Sequence, residues 1–555
     1  MSILPALCLA AALASPQTPP EQSPGERLHN LIAADRESSK LAPDKWPDLS
    51  RDGLRSRETQ DRATLDALRR IPRAALAFED RTTYDLFAWR LERRVEQFRL
   101  KLYLTPFWDD PRYGPGVLWG ATTVRSLPPE YAARVRKLDA FPAYVAQITS
   151  LLQEAIDAHQ LPSKALAREV ATSLESIRQP WMQSFGPRRA DATQVWADRV
   201  QASMRDRVSP ALRELHDFVT TKYLPACPHF ASLADWPNGA EVYQELIRRN
   251  TTTALDPKQI HDIGLAEVVR IRKAMSAVMS QAGFQGDLNA FLASMNTDQR
   301  FYATTEQELL DAYRAAVARI EPLLPKVIRT LPSQKLTVEA VRHDGPAAMY
   351  RDTDAVVVVD VTKLSVRPKF EILTLMLHEG VPGHHLQFAL QRQLHPTEPD
   401  FYSTRQSVAF MEGWALYAET LGDEMGLYTD PYDKFGQLSW DLMRAVRLVV
   451  DTGIHHCGWS QARATQYFMD TTGKSKDMAD LEVPRSIRPG ISLAYKIGEL
   501  RIRALRDRIA RKLGTRFDVR SFHETLMRWG NLPLDILDRK AGECLEDPSC
   551  AASFQ

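Results

Sequence analysis

Residues 370–377 (FEILTLML) are apolar on nearly every face, the pattern of a helix buried all round rather than one with a wet side. The chain then reads Leu377-His378-Glu379-Gly380-Val381-Pro382-Gly383-His384-His385-Leu386-Gln387. Three histidines and a carboxylate at the end of such a helix are costly to desolvate unless something binds them. The interior of the fold has to be organised around this polar insertion.

The His-Glu pair resembles the zincin signature H-E-x-x-H, in which two histidines one helical turn apart hold zinc and the glutamate is the general base. The spacing differs, because the position four after His378 is Pro382. On a regular helix His384 would be turned by roughly 120° from His378, and His385 would lie about 10 Å further along the axis. Metal–nitrogen bonds of about 2.0–2.1 Å close neither arrangement, so the helix is predicted to break at Pro382-Gly383. Proline lacks the N–H and its ring clashes with the carbonyl four residues back, while glycine permits the turn that follows. His384 is preferred over His385 as second ligand because it needs less compression of the helix.

A third ligand is sought on the next long helical pattern, VAFMEGWALYAE (408–419). Glu412 sits inside its apolar run with Gly413 beside it, and a metal is the simplest way to satisfy it; pairing with an arginine is the alternative. Glu419, seven residues on and on the same face, is a candidate to orient a ligand histidine, though a surface carboxylate reads as well. Asp451 and His455 stand four apart on a helical stretch. They suggest an oxyanion donor whose tautomer is fixed by a carboxylate, or a packing histidine. Tyr495 is a second oxyanion candidate, or a buried aromatic with a polar tip. Arg485 and Arg488 are candidates for a substrate carboxylate, or members of internal ion pairs. His385 is kept as a substrate-side or supporting residue.

The runs HEGVPGHHLQ, MEGWALYAE, DTGIHHCGWS, RPGISLAYKIG and FHETLMRWGNLPLDIL resemble the bacterial domain-of-unknown-function 885 family, in order and spacing, from about residue 250 to 540. The resemblance implies a gluzincin-type metallopeptidase: mainly α, with two helical lobes around a deep channel and a small sheet beside the active-site helix. It implies zinc on His378, one of the following histidine pair and Glu412, with Glu379 as base. The C-terminal block departs from the family pattern R-Y-x-x-x-P-G-Q. Ser486 and Ile491 stand where Tyr and Gln are usual, so specificity or activity is expected to differ if those positions line the pocket.

Elsewhere the chain reads as helices punctuated by Pro and Gly. Asp256-Pro257-Lys258-Gln259 is a helix start, and Thr305-Glu306-Gln307-Glu308 a capping box. Leu336–Val341 and Ala355–Val361 are β-branched and read as strands, the second offering an edge to an extended substrate. Ile3–Ala14 is a twelve-residue apolar run ending in a small-residue pattern, too short for a membrane span and read as a signal peptide (1–14). A Pro-rich leader (15–24), a helical part (25–330) and a catalytic part (331–555) follow. Four cysteines remain after cleavage, and Cys544 and Cys550 are spaced to close a short loop in an oxidising compartment. With 71 basic against 70 acidic residues and no Gly-rich phosphate loop, the sequence argues against nucleic acid and nucleotides as partners. The expectation is a periplasmic or secreted zinc peptidase acting on short peptides, without a membrane anchor once the signal is removed. A zinc amidase for a non-peptide metabolite and a non-catalytic exported binding protein are the alternatives. Oligomeric state is left open.

Overall fold

The computed structural model describes residues 22–105, 131–184, 194–342, 346–394 and 407–555. The expected signal peptide (1–14) and most of the expected leader (15–24) lie outside the described residues. The leader ends sooner than expected: Ser23 accepts from the Glu26 N–H and the Glu26 carboxylate from the Ser23 N–H, so a capped helix already runs over Pro24–Ser38.

The protein is mainly helical, with one small sheet. Helices relevant to the site are α1 (Gly239–Thr251), α2 (Pro257–Gln281), α3 (Ile372–Glu379), α4 (His384–Leu394), α5 (Val408–Met425), α6 (Pro431–His455), α7 (Leu493–Leu513), α8 (Val519–Trp529) and α9 (Leu534–Glu546). The Asp256 capping box opens α2 with Pro257 in its first turn. Thr305 caps the helix Glu306–Ile320, but the Glu308 carboxylate takes the Thr304 N–H, so the box is shifted by one residue on its return side.

The sheet holds β1 (Thr337–Val341), β2 (Ala348–Arg351) and β3 (Val356–Asp360) in the order β1-β3-β2. β3 is wholly buried, parallel to β1 and antiparallel to β2. Both its sides are therefore paired, and the expected substrate edge on Ala355–Val361 does not exist. The free edge nearest α3 belongs to β2, a short strand whose sequence carries no clear alternation.

The largest core runs from Leu28 to Phe554 and joins helices on both sides of residue 330, so that expected boundary does not separate two cores. A distinct core is made by residues 104–227, from Leu104 to Cys227. In the large core α3 packs on β2, α5 and α6. Helices α5 and α7 meet at Gly413 and Gly498. A Cβ on Gly498 would stand 2.0 Å from the Ala409 carbonyl oxygen, and one on Gly413 would stand 2.5 Å from the Gly498 Cα. Only glycine at both positions allows that approach. Cys544 and Cys550 form a disulfide closing the end of α9, while Cys227 is buried and free and Cys457 exposed and free. No helix among the described residues is long and apolar enough to cross a membrane.

Candidate metal centre

The buried helix α3 stops at Glu379, and α4 starts at His384. Between them the Val381–Pro382 peptide is cis, and the Pro382 carbonyl accepts the Trp414 indole N–H at 2.9 Å. Gly383 passes so close to α3 that a Cβ there would lie 1.9 Å from the His378 carbonyl oxygen. This reversal folds the second histidine back over the first. The two rings meet edge to face, with centroids 4.9 Å apart.

His378 donates Nδ1–H to Glu419 at 2.8 Å, and Glu419 also accepts the Thr374 hydroxyl at 3.0 Å. That bond turns the other nitrogen, Nε2, toward Glu412, whose Oε2 lies 3.6 Å away. His384 Nε2 stands 3.4 Å from the same oxygen. His378, Glu379 and His384 each bring a ligand atom within 4.8 Å of the others. For a tetrahedral ion with bonds of about 2.0–2.2 Å, neighbouring ligand atoms are about 3.3–3.6 Å apart. The His378–Glu412 and His384–Glu412 separations match that spacing, so two imidazoles and the Glu412 carboxylate fit a metal ion as three of its ligands.

The electrostatics agree with a cation site. Burial alone would lower the His378 pKa, but Glu412 and Glu419 outweigh it and push it up to about 9. Burial would raise the Glu412 carboxyl, but His384 and His378 hold it well below the usual carboxylate range. The same negative surroundings that retain a proton on His378 would favour a metal ion in its place.

Glu379, like Glu412, is only partly buried, whereas both histidines are buried. The Glu379 Oε2 accepts the Tyr350 backbone N–H of β2 at 2.8 Å, which orients the carboxylate beside the two histidines. His385 turns the other way: Nε2–H donates to the Gln334 carbonyl at 3.0 Å and Nδ1 accepts the Tyr350 hydroxyl at 3.1 Å. It straps β2 to α4, together with the Arg392–Asp352 ion pair.

The remaining candidates divide. Tyr495 lies one turn before Gly498, where α7 passes Glu412. Burial and then the Glu412 charge push its hydroxyl up. Asp451 and His455 do not pair with each other. His455 spends both ring nitrogens on backbone, donating to Ser486 O at 2.6 Å and accepting Leu233 N–H at 3.2 Å. Burial, opposed by the Ser486 carbonyl, pushes its pKa down to about 4. Asp451 accepts the Tyr243 hydroxyl, the Gly490 N–H and the Ser492 hydroxyl. Both residues pin the 486–492 loop, and neither is free to face an oxyanion. Arg488 pairs with Glu169 on the surface at 2.7 Å, away from the cluster. Arg485 pairs with Glu482 at 3.3 Å. The sequence reading missed Tyr350, Thr374, Arg444 and Arg447. Only the arginines left a trace, three residues apart in an otherwise apolar stretch of α6.

The family model described as "Bacterial protein of unknown function (DUF885)" matches residues 35–540. Two solved structures share the fold. A "putative lipoprotein" from Colwellia psychrerythraea superposes with a TM-score of 0.77 at 23% identity, over 95% of this chain and 100% of that one. A "putative lipoprotein of unknown function" from Shewanella oneidensis gives 0.74 at 16% identity, over 94% and 99%. No curated protein matches the chain.

Proposed function

The chain belongs to the DUF885 family of bacterial proteins of unknown function, and from that premise we propose that it is an exported zinc-dependent hydrolase of peptide bonds in short peptides. One observation carries the reading: His378 Nε2 and His384 Nε2 converge on one oxygen of Glu412 with Glu379 beside them. Two imidazoles and one carboxylate are a donor set suited to zinc, as in the gluzincin-type metallopeptidases. When bound, the ion would supply Lewis acidity toward the scissile carbonyl and lower the pKa of a water toward about 7.

The chain's own residues do the rest. Glu379, held by the Tyr350 N–H through one oxygen, has its second oxygen for the proton of the attacking water. As the water oxygen bonds to the carbonyl carbon, Glu379 takes that proton. It then delivers it to the amine nitrogen as the C–N bond breaks. The Tyr495 hydroxyl is the candidate donor to the oxygen that becomes negative. His378 keeps its orientation through Glu419, and Glu419 through Thr374.

Substrate would lie along β2. Asp360 donates to the Ala347 carbonyl, so Ala347, Met349 and Arg351 turn their backbone groups to β3, while Ala348 and Tyr350 turn theirs outward. The outward Tyr350 N–H reaches Glu379, which places the strand's open edge beside the base, where an extended chain can add to it. Export is supported by the Cys544–Cys550 disulfide and by the description of both structural relatives as lipoproteins. A periplasmic or secreted location follows from the same reasoning. The test is a digest of a diverse peptide library by the zinc-loaded protein, read by mass spectrometry. Cleavage of short peptides with native proteins spared is expected. Hydrolysis of non-peptide amides alone would make it an amidase, and no hydrolysis of either would leave a binding protein.

A further inference from the structure

Helix α6 packs on α3 and α7, and α7 packs on α5, the helix of Glu412, whose charge is felt by Arg447 on α6 and Tyr495 on α7. Arg444 and Arg447 lie three apart on one side of α6, both buried. Arg447 donates from Nε and Nη2 to one oxygen of Glu482, at 2.9 and 2.6 Å, and its guanidinium lies 5.3 Å from the Tyr495 ring centre. Arg485 approaches the other oxygen of Glu482 at 3.3 Å and is 54% exposed. Arg444 rests 4.2 Å above Trp440 and 3.4 Å from Glu419. Its Nε and Nη1 have no hydrogen-bond partner among the described residues.

Three guanidiniums therefore share two carboxylates, Glu482 and Glu419, and one positive charge is left over. Two zinc charges would be matched by Glu412 and Glu379, so metal binding would not remove the surplus. Excess cationic charge beside a largely buried site is costly until an anion meets it, and clefts of one sign draw the opposite charge.

We propose that this surplus receives a carboxylate of the substrate, with Arg485 as the accessible contact and the buried Arg447 and Arg444 supplying the field behind Tyr495. The inference rests on the peptide-hydrolase reading and narrows it to peptides that present a carboxylate next to the scissile bond. The chemistry is shared by a free chain terminus and by an acidic side chain. An N-terminal ammonium would be repelled.

The experiment uses the zinc-loaded full chain carrying Glu379→Gln, so that binding is read without turnover. Three short alanine-based peptides are titrated by calorimetry: one with a free C-terminal carboxylate, its C-terminal amide, and the amide with a glutamate as last residue. The free acid is expected to bind roughly 10–100-fold more tightly than the plain amide, as for a charge-assisted contact. If the glutamate amide recovers that affinity, the carboxylate comes from a side chain; if not, from the chain end. Arg485→Gln should bring acid and amide within about threefold while leaving the plain amide unchanged. Equal binding of all three peptides, or an acid preference untouched by Arg485→Gln, would overturn the inference. Wild-type hydrolysis of the same peptides is followed in parallel. Absent hydrolysis with the acid preference intact would refute only the catalytic reading, and binding of none would remove both.

Discussion

Glu419 accepts the Nδ1–H of His378 at 2.8 Å from a position 1% exposed. It keeps a proton on Nδ1, so that Nε2 is the nitrogen turned toward Glu412 and the one from which a metal ion would displace a proton, and it does so from two helical turns beyond Glu412 on α5. One helix thus supplies both the group that would share the metal with His378 and the group that aims His378 at it. Glu419→Gln should weaken zinc affinity by about 10–100-fold with little loss of fold. Competition against a chromophoric chelator measures it, and unchanged affinity would mean His378 is oriented by its packing alone.

His384 and His385 are neighbours with opposite duties. His384→Ala should abolish stoichiometric zinc. His385→Ala should keep zinc but loosen β2, since the Tyr350 and Gln334 bonds are lost. Metal analysis by plasma mass spectrometry on the two variants separates the roles, and loss of metal in both would point to a shared site.

Gly383 has no room for a side chain, with the His378 carbonyl oxygen 1.9 Å from where its Cβ would be. Gly383→Ala should cost about 3 kcal/mol or prevent folding. Urea unfolding of the metal-free variant reads this directly, and wild-type stability would show that the reversal between α3 and α4 is softer than its contacts indicate.

Zinc and a proton compete for His378, whose pKa without metal is raised to about 9. The sign follows: below pH 9 the ion must displace a proton, so apparent affinity should rise roughly tenfold per pH unit between pH 6 and 8. The same shift gives the metal-free protein stability that is complete below about 6.5 and fades as pH climbs through 9. A pH-independent zinc affinity in buffered titrations would mean His378 is already neutral.

His455 runs in the opposite direction. Its pKa is pushed down to about 4 in the fold against about 6.5 in the unfolded chain. Its contribution is therefore complete above 6.5 and is lost as pH falls through 4, about 3 kcal/mol in all. His455→Gln should flatten that acid limb in unfolding curves taken from pH 7 to 4.5. An unaltered limb would place the acid sensitivity in other groups, of which buried His523, pushed down to about 3, is the first.

The break at Pro382-Gly383 could be read from spacing because it follows from helix geometry and the chemistry of proline. Glu412 stood out only as a carboxylate in an apolar helical run, and its joining the histidines as a ligand was implied by the family resemblance. The capping of α2 was equally local. What sequence could not carry was partnership over distance. Asp451 and His455 share a helix stretch, yet each is claimed by backbone of another segment, Gly490 and Ser492 for one, Ser486 and Leu233 for the other. The β2 edge was missed because four residues show too little alternation, and its role appears only when Tyr350 N–H meets Glu379. Arg447 and Glu482 are far apart in sequence and become legible only once α6 is packed.

In the proposed reaction Glu379 is a base beside a bound zinc ion. The most direct test of this role is the Glu379→Gln variant, assayed together for zinc content and for hydrolysis of a short peptide that the wild type cleaves. The expected result is about one zinc per chain, as in the wild type, with kcat lowered by roughly 10²–10⁴-fold. Undiminished turnover by a fully zinc-loaded variant would contradict it.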